Sequence, residues 1–130
     1  MYTSYPPDQS YVFVYGTLRS GQTYHDLLGG RTPISLVKTP PYFELVSLGP
    51  YPAMMTQGHT AIVGEIYRVD ESTMKTLDEL EGHPDFYQRC PIDLPSVDLS
   101  GTVWTYVLPR DRFTRGARIE SGDWVKWVDT

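Results

Sequence analysis

This chain has almost no cysteine, little positive charge and no long apolar run, and each shortage removes a class of function. Cys90 is the only cysteine. No internal disulfide can form, nothing calls for an oxidising compartment, and the cytoplasm is the expected location. There are 11 Lys and Arg against 16 Asp and Glu, a formal net charge of -5 with a pI near 5.0. Nucleic acid, which needs a basic surface, is therefore not expected as the main partner. No stretch approaches the roughly 18 consecutive apolar residues of a membrane span, so no membrane partner is expected. Residues 1–10 lack the basic start and apolar segment of a leader and read as a flexible lead-in to a single domain over 11–130. The histidines, His25, His59 and His83, have no ligand spacing, so no metal is expected. A chain of 130 residues can bury a real core but has no room for a cofactor domain beside a substrate domain. Small molecules or proteins remain as partners, and oligomeric state is open.

What is present reads mainly as strands. Residues 11–15 are β-branched and aromatic, too short for a helix and closed by Gly16, which predicts a buried, central strand. Thr23 is placed to cap a short helix that ends at Gly29-Gly30. Strands are expected over 32–38 and 42–48, separated by Pro40-Pro41, and Gly49-Pro50-Tyr51-Pro52 makes a rigid loop. Residues 61–69 alternate as a strand with Ala61, Val63, Glu65, Tyr67 and Val69 on one face. Asp70 caps a helix that runs to Glu81 and stops at Gly82. Two more strands are expected over 86–94 and 102–108, and Ser121-Gly122-Asp123-Trp124 opens a final short one. The stretches 52–59 and 109–118 read as loops. Helices too few to alternate with the strands exclude a doubly wound parallel sheet and predict an α+β fold: a compact, mixed, barrel-like sheet with one or two packed helices.

Helical spacing places Glu81 in line with Met74 and Leu77, on the apolar face of the predicted helix. A part-buried carboxylate at the negative end of a helix holds its proton more tightly than a free one, which suits a general base near neutral pH. A structural ion pair with Arg89, on the same strand face as Tyr87, accounts for it equally well. Glu65, on an apolar strand face, raises the same question. At Tyr15-Gly16-Thr17-Leu18-Arg19-Ser20-Gly21 a buried strand runs into a glycine-flanked turn, where freed backbone N–H groups can converge on an anion or merely shape a turn. Cys90 has no histidine in a recognisable pattern with it and reads as an inert thiol. The tryptophans read as packing.

Three segments then match in order: residues 12–21, the Gly49-Pro50-Tyr51-Pro52-Ala53 loop, and Gly64-Glu65-Ile66-Tyr67 continuing through Leu77-Asp78-Glu79-Leu80-Glu81-Gly82 to Tyr87-Gln88-Arg89. Together they resemble the gamma-glutamylcyclotransferase-like family, in particular its γ-glutamylamine cyclotransferase, AIG2-like branch. The resemblance implies that Tyr15, Gly16, Thr17 and Leu18 hold a γ-glutamyl group, that Glu81 is the acid/base, and that 5-oxoproline is released without metal or organic cofactor. Tyr87 is expected either to donate a hydrogen bond or to wall the pocket. Arg89 either holds a carboxylate or braces its strand, bracing being the expectation, with Glu65 and Tyr51 as further support. The amides of residues 16–18 can serve the substrate α-carboxylate, the oxyanion on the γ-carbonyl, or both. A non-catalytic member that binds a γ-glutamyl metabolite or a protein is the alternative, and a hydrolase using Cys90 is the third.

Overall fold

The structure, a computed structural model, describes residues 10–129. The expected lead-in lies outside the described residues except for Ser10, which opens the first strand. That strand, β1 (Ser10–Val14), is the middle of a five-stranded sheet. It is flanked by β5 (Val63–Val69), antiparallel, and β7 (Val103–Val107), parallel. Outside these lie β2 (Ser35–Lys38) on β5 and β6 (Gln88–Pro91) on β7. A second sheet has the order β4 (Pro52–Thr56), β3 (Phe43–Ser47), β8 (Ala117–Arg118). The fold is α+β with a mixed sheet and few helices, as expected. The sheets join where the Leu108 N–H donates to the Met54 carbonyl at 2.8 Å.

Period-two alternation gives β1 two apolar faces. Val12 and Val14 face a core containing Tyr67, Val69, Met74 and Leu77, while Phe13 and Tyr15 face another containing Leu45, Met54, Ile66, Ile119 and Trp124. Helix α1 (Glu71–Glu81) packs on the first. The Asp70 side chain accepts from Thr73 N–H at 2.8 Å to start it, and Gly82, at φ +66°, ends it in the left-handed conformation that a side chain would strain. Beginning and end both agree with the sequence reading.

Four local expectations are corrected. The stretch 109–118, read as a loop, holds a 3-10 turn (Arg110–Arg112) and β8, which pairs with β3. The stretch read as a loop from Pro52 contains β4, in which Pro52 through Met55 are all buried. A strand buried on both faces loses alternation, and Ala and Met carry little strand signal. The region opened by Ser121 forms a short helix, α2 (Trp124–Val128), because the Asp123 carboxylate accepts from Val125 and Lys126 N–H at 3.1 and 3.3 Å. Thr23 caps nothing: the turn His25–Leu28 is a 3-10 helix preceded by Tyr24, with no side-chain cap. Among the described residues no helix is long and apolar enough to cross a membrane.

Candidate active site

The C-terminal end of β1, the start of β4 and the end of α1 converge on a cavity of about 240 Å³. Tyr15, Gly16, Thr17 and Leu18 line one side, Tyr51, Pro52, Phe86 and Tyr87 another, and Leu80, Glu81 and Gly82 a third. Among the described residues Glu81 is the only charged one in the lining. Its carboxylate accepts no hydrogen bond among the described residues, and burial pushes its proton affinity up to about 7. Removal from water disfavours the charged form, and no donor or cation offsets it.

The turn after β1 borders the same cavity. Arg19 N–H donates to the Gly16 carbonyl at 3.0 Å, Tyr24 N–H to the Thr17 carbonyl at 2.8 Å, and His25 Nδ1 lies 3.0 Å from the Leu18 carbonyl. A carbonyl only accepts, so this histidine nitrogen carries the proton. In a trans peptide the C=O and the following N–H point in opposite directions. Tying down the Gly16 and Thr17 carbonyls therefore turns the N–H groups of Thr17 and Leu18 the other way. The N–H groups of Gly16, Thr17 and Leu18 have no acceptor among the described residues. A Cβ at Gly16 would lie 2.6 Å from Pro52 Cγ, so the close packing of this loop on β4 requires glycine.

The tyrosines build the frame. Tyr15 OH donates to the Tyr106 carbonyl at 2.7 Å and accepts from Met54 N–H at 3.0 Å, which ties β1 to both sheets. Tyr87 OH donates to the Pro52 carbonyl at 2.5 Å. Of the two roles open to Tyr87, its hydroxyl is thus already spent on the frame and its ring is left as a wall. Tyr51 meets Phe86 and Tyr87 edge-on at 6.4 and 6.5 Å between centroids. Burial raises the hydroxyls of Tyr15 and Tyr87, and the nearby Glu81 charge adds to it in both, so they stay neutral. Arg112 Nη1 reaches across to the carbonyls of Pro84 and Phe86 at 2.7 and 2.8 Å and holds the rim.

Arg89 and Glu65 do not line the cavity. The pair of Glu81 with Arg89 does not form: Arg89 Nε instead meets Asp78 Oδ1 at 2.9 Å, and its guanidinium lies 4.7 Å from the Trp104 ring centroid. Asp78, one helical turn before Glu81, also accepts from Tyr106 OH at 2.7 Å, so Arg89 has a better-placed carboxylate and braces β6 on α1. Glu65 is buried. One of its oxygens accepts from Ser20 N–H at 2.9 Å and Tyr67 OH at 2.8 Å, and the other lies 3.2 Å from Arg19 Nε. Cys90 is half-buried, and burial pushes its thiol up, away from the thiolate a nucleophile needs. No cluster of metal-ligating side chains exists among the described residues.

Sequence reasoning missed Phe86 and Tyr106 at the site, and Asp78, Arg19 and Asp123 behind it. Asp123 carried a readable signal, since an aspartate just before an apolar residue is a helix cap as readily as a strand edge. The carboxylate partners of Arg19 and Arg89 lie far off in sequence or on another element, where no spacing rule reaches.

Fold and cavity together define a protein with a small pocket that is bordered, among the described residues, by one unpaired carboxylate and a turn with three free amides. The family model described as "Gamma-glutamyl cyclotransferase, AIG2-like" matches residues 12–126, and the chain belongs to that family. A Vibrio cholerae protein named "Putative gamma-glutamylcyclotransferase" is 39% identical over 120 residues, covering 92% of this chain and 99% of that one. The Bos taurus protein named gamma-glutamylaminecyclotransferase is 35% identical over 106 residues, 74% of this chain and 62% of that one. The solution NMR structure of Escherichia coli ytfP superposes with a TM-score of 0.68 at 32% identity, covering 92% of this chain and 99% of that chain.

Proposed function

We propose that this protein is a cofactor-independent cyclotransferase that releases 5-oxoproline and a free amine from a γ-glutamylamine or a γ-glutamyl amino acid. The observation that carries the reading is an unpaired carboxylate, Glu81, sharing one cavity with the unpaired amides of Gly16, Thr17 and Leu18. The family name and the bovine relative's name support the γ-glutamyl group as the recognised part.

The substrate supplies both nucleophile and electrophile, its own α-amine and γ-carbonyl, so the pocket has only to fold the substrate and move protons from one nitrogen to the other. Glu81, ionised, takes a proton from the α-ammonium. The freed amine attacks the γ-carbonyl carbon, a C–N bond forms, and negative charge develops on the carbonyl oxygen. A free amide aimed at that oxygen is worth about 3 kcal/mol, and the remaining amides hold the α-carboxylate. As the tetrahedral intermediate collapses, protonated Glu81 returns its proton to the departing nitrogen, the original amide bond breaks, and the second proton of the new ring nitrogen passes to the released amine, which leaves as an ammonium ion. No water is consumed and Glu81 ends ionised. A proton affinity near 7 lets one group serve in both directions.

Incubation with γ-glutamyl-lysine isopeptide, γ-glutamyl dipeptides and glutathione, with detection of 5-oxoproline, tests this. Turnover of at least one, lost in Glu81→Gln, is expected; no turnover of any, or a fully active Glu81→Gln, overturns it. The second reading, a binder of γ-glutamyl metabolites, predicts binding of 5-oxoproline without turnover, and the uncompensated Glu81 speaks against it because a binder gains nothing from that cost.

A further inference from the structure

We propose that the buried Asp123, Arg19 and Glu65 form a frame that positions the amide turn for reaction, which makes Arg19 and Asp123 positioning residues although neither lines the cavity. This rests on the cyclotransferase reading of the pocket. Arg19 is the first residue past the free amides, and its own N–H closes the turn onto Gly16. Its side chain is only 8% exposed, with Nε 3.2 Å from Glu65 Oε2 and Nη1 2.9 Å from Asp123 Oδ1.

Glu65 fixes the turn at both ends. Its backbone is the ladder partner of Val14, where β1 delivers the chain to the turn. Its carboxylate holds the Arg19 side chain and the Ser20 N–H, where the chain leaves. Asp123 closes the frame from the far end of the sequence, and its own place is fixed: its carboxylate caps α2, and the adjoining Gly122 carbonyl accepts from Val63 N–H at 2.8 Å at the start of β5. One strand therefore anchors every corner of the turn.

Burying a cation between two carboxylates is a poor way to gain stability, since apolar residues of similar volume generally do as well or better. A network whose contacts converge on the residues just after three free amides makes sense as a geometric constraint. Arginine suits it because one planar group reaches two acceptors in fixed directions, which a lysine's single nitrogen cannot do.

The test compares the full chain with Arg19→Lys, Glu65→Gln and Asp123→Asn by thermal midpoint, by kcat and KM, and by the backbone amide NMR resonances of residues 16–18. For Arg19→Lys, kcat/KM is expected to fall about 10- to 100-fold, the range a misplaced catalytic group costs, with the amide resonances shifted and the pH midpoint set by Glu81 unmoved. A fall in kcat assigns the amides to the oxyanion and a rise in KM assigns them to the α-carboxylate; either supports the frame. Asparagine still caps a helix, so Asp123→Asn keeps α2 and changes in the same direction by less. Wild-type kcat, KM and amide resonances in variants that fold overturn the proposal, as does a lower midpoint with unchanged kinetics. Should Arg19→Lys fail to fold, the other two variants carry the comparison with the same outcomes. Should the wild type release no 5-oxoproline, the cyclotransferase reading fails separately. The amide resonances then decide alone: a shift confined to residues 16–18 supports the frame and its absence overturns it.

Discussion

Glu81 carries the sharpest residue-level expectations. Its folded proton affinity is raised, from the usual carboxylate range to about 7, so between those values the folded protein binds more protons than the unfolded chain. Stability from this group is fully present below the unfolded pKa and is lost as pH rises through about 7. Its slope cannot exceed about 1.4 kcal/mol per pH unit. Glu81→Gln is therefore expected to raise the thermal midpoint at pH 8 and to leave it near the wild-type value at pH 4, as differential scanning calorimetry will read. The same substitution is expected to cost about 10² to 10⁴ in kcat, and wild-type kcat/KM should rise with pH up to a limb near 7. Tyr87→Phe removes the hydrogen bond to Pro52 but keeps the wall. It should lower stability by about 1 kcal/mol in urea titration while turnover stays within a few-fold.

At the scale of elements, the turn after β1 is held so closely that an added methyl should be felt. In Gly16→Ala the new Cβ meets the Pro52 ring, and turnover is expected to fall at least as far as stability, measured by kcat alongside the thermal midpoint. The elements were unequally legible in the sequence. Helix α1 could be read because its cap, apolar face and stop all lie within one window, and β1 because its β-branched run ends at glycine. β4 could not be read, since burial on both faces erased its pattern, and α2 was read as a strand because its one signal, the capping Asp123, suits a strand edge as well. At the site, Glu81 was visible through helical spacing, and residues 15–18 through the strand-to-glycine junction. The true partner of Arg89 was invisible, because Asp78 and Glu81 lie on the same helix face and only packing chooses between them.

At the scale of the whole molecule, the two cores meet at β1 and the second sheet contributes to both. Leu45, in the second sheet, and Leu77, in α1, are both fully buried. Changing either to alanine should lower stability by about 2 to 5 kcal/mol. Urea unfolding followed by tryptophan fluorescence and far-UV circular dichroism should give one coincident transition in each variant, the behaviour of a single domain. The clamp of Arg112 on the Pro84 and Phe86 carbonyls separates two jobs along the chain. Glu81 and the free amides belong to α1 and the turn after β1, whereas the aromatic edge of Tyr51, Phe86 and Tyr87 is tethered by an arginine from a separate segment of the chain. The aromatic edge can therefore be altered without any change in the elements that carry Glu81 and residues 16–18.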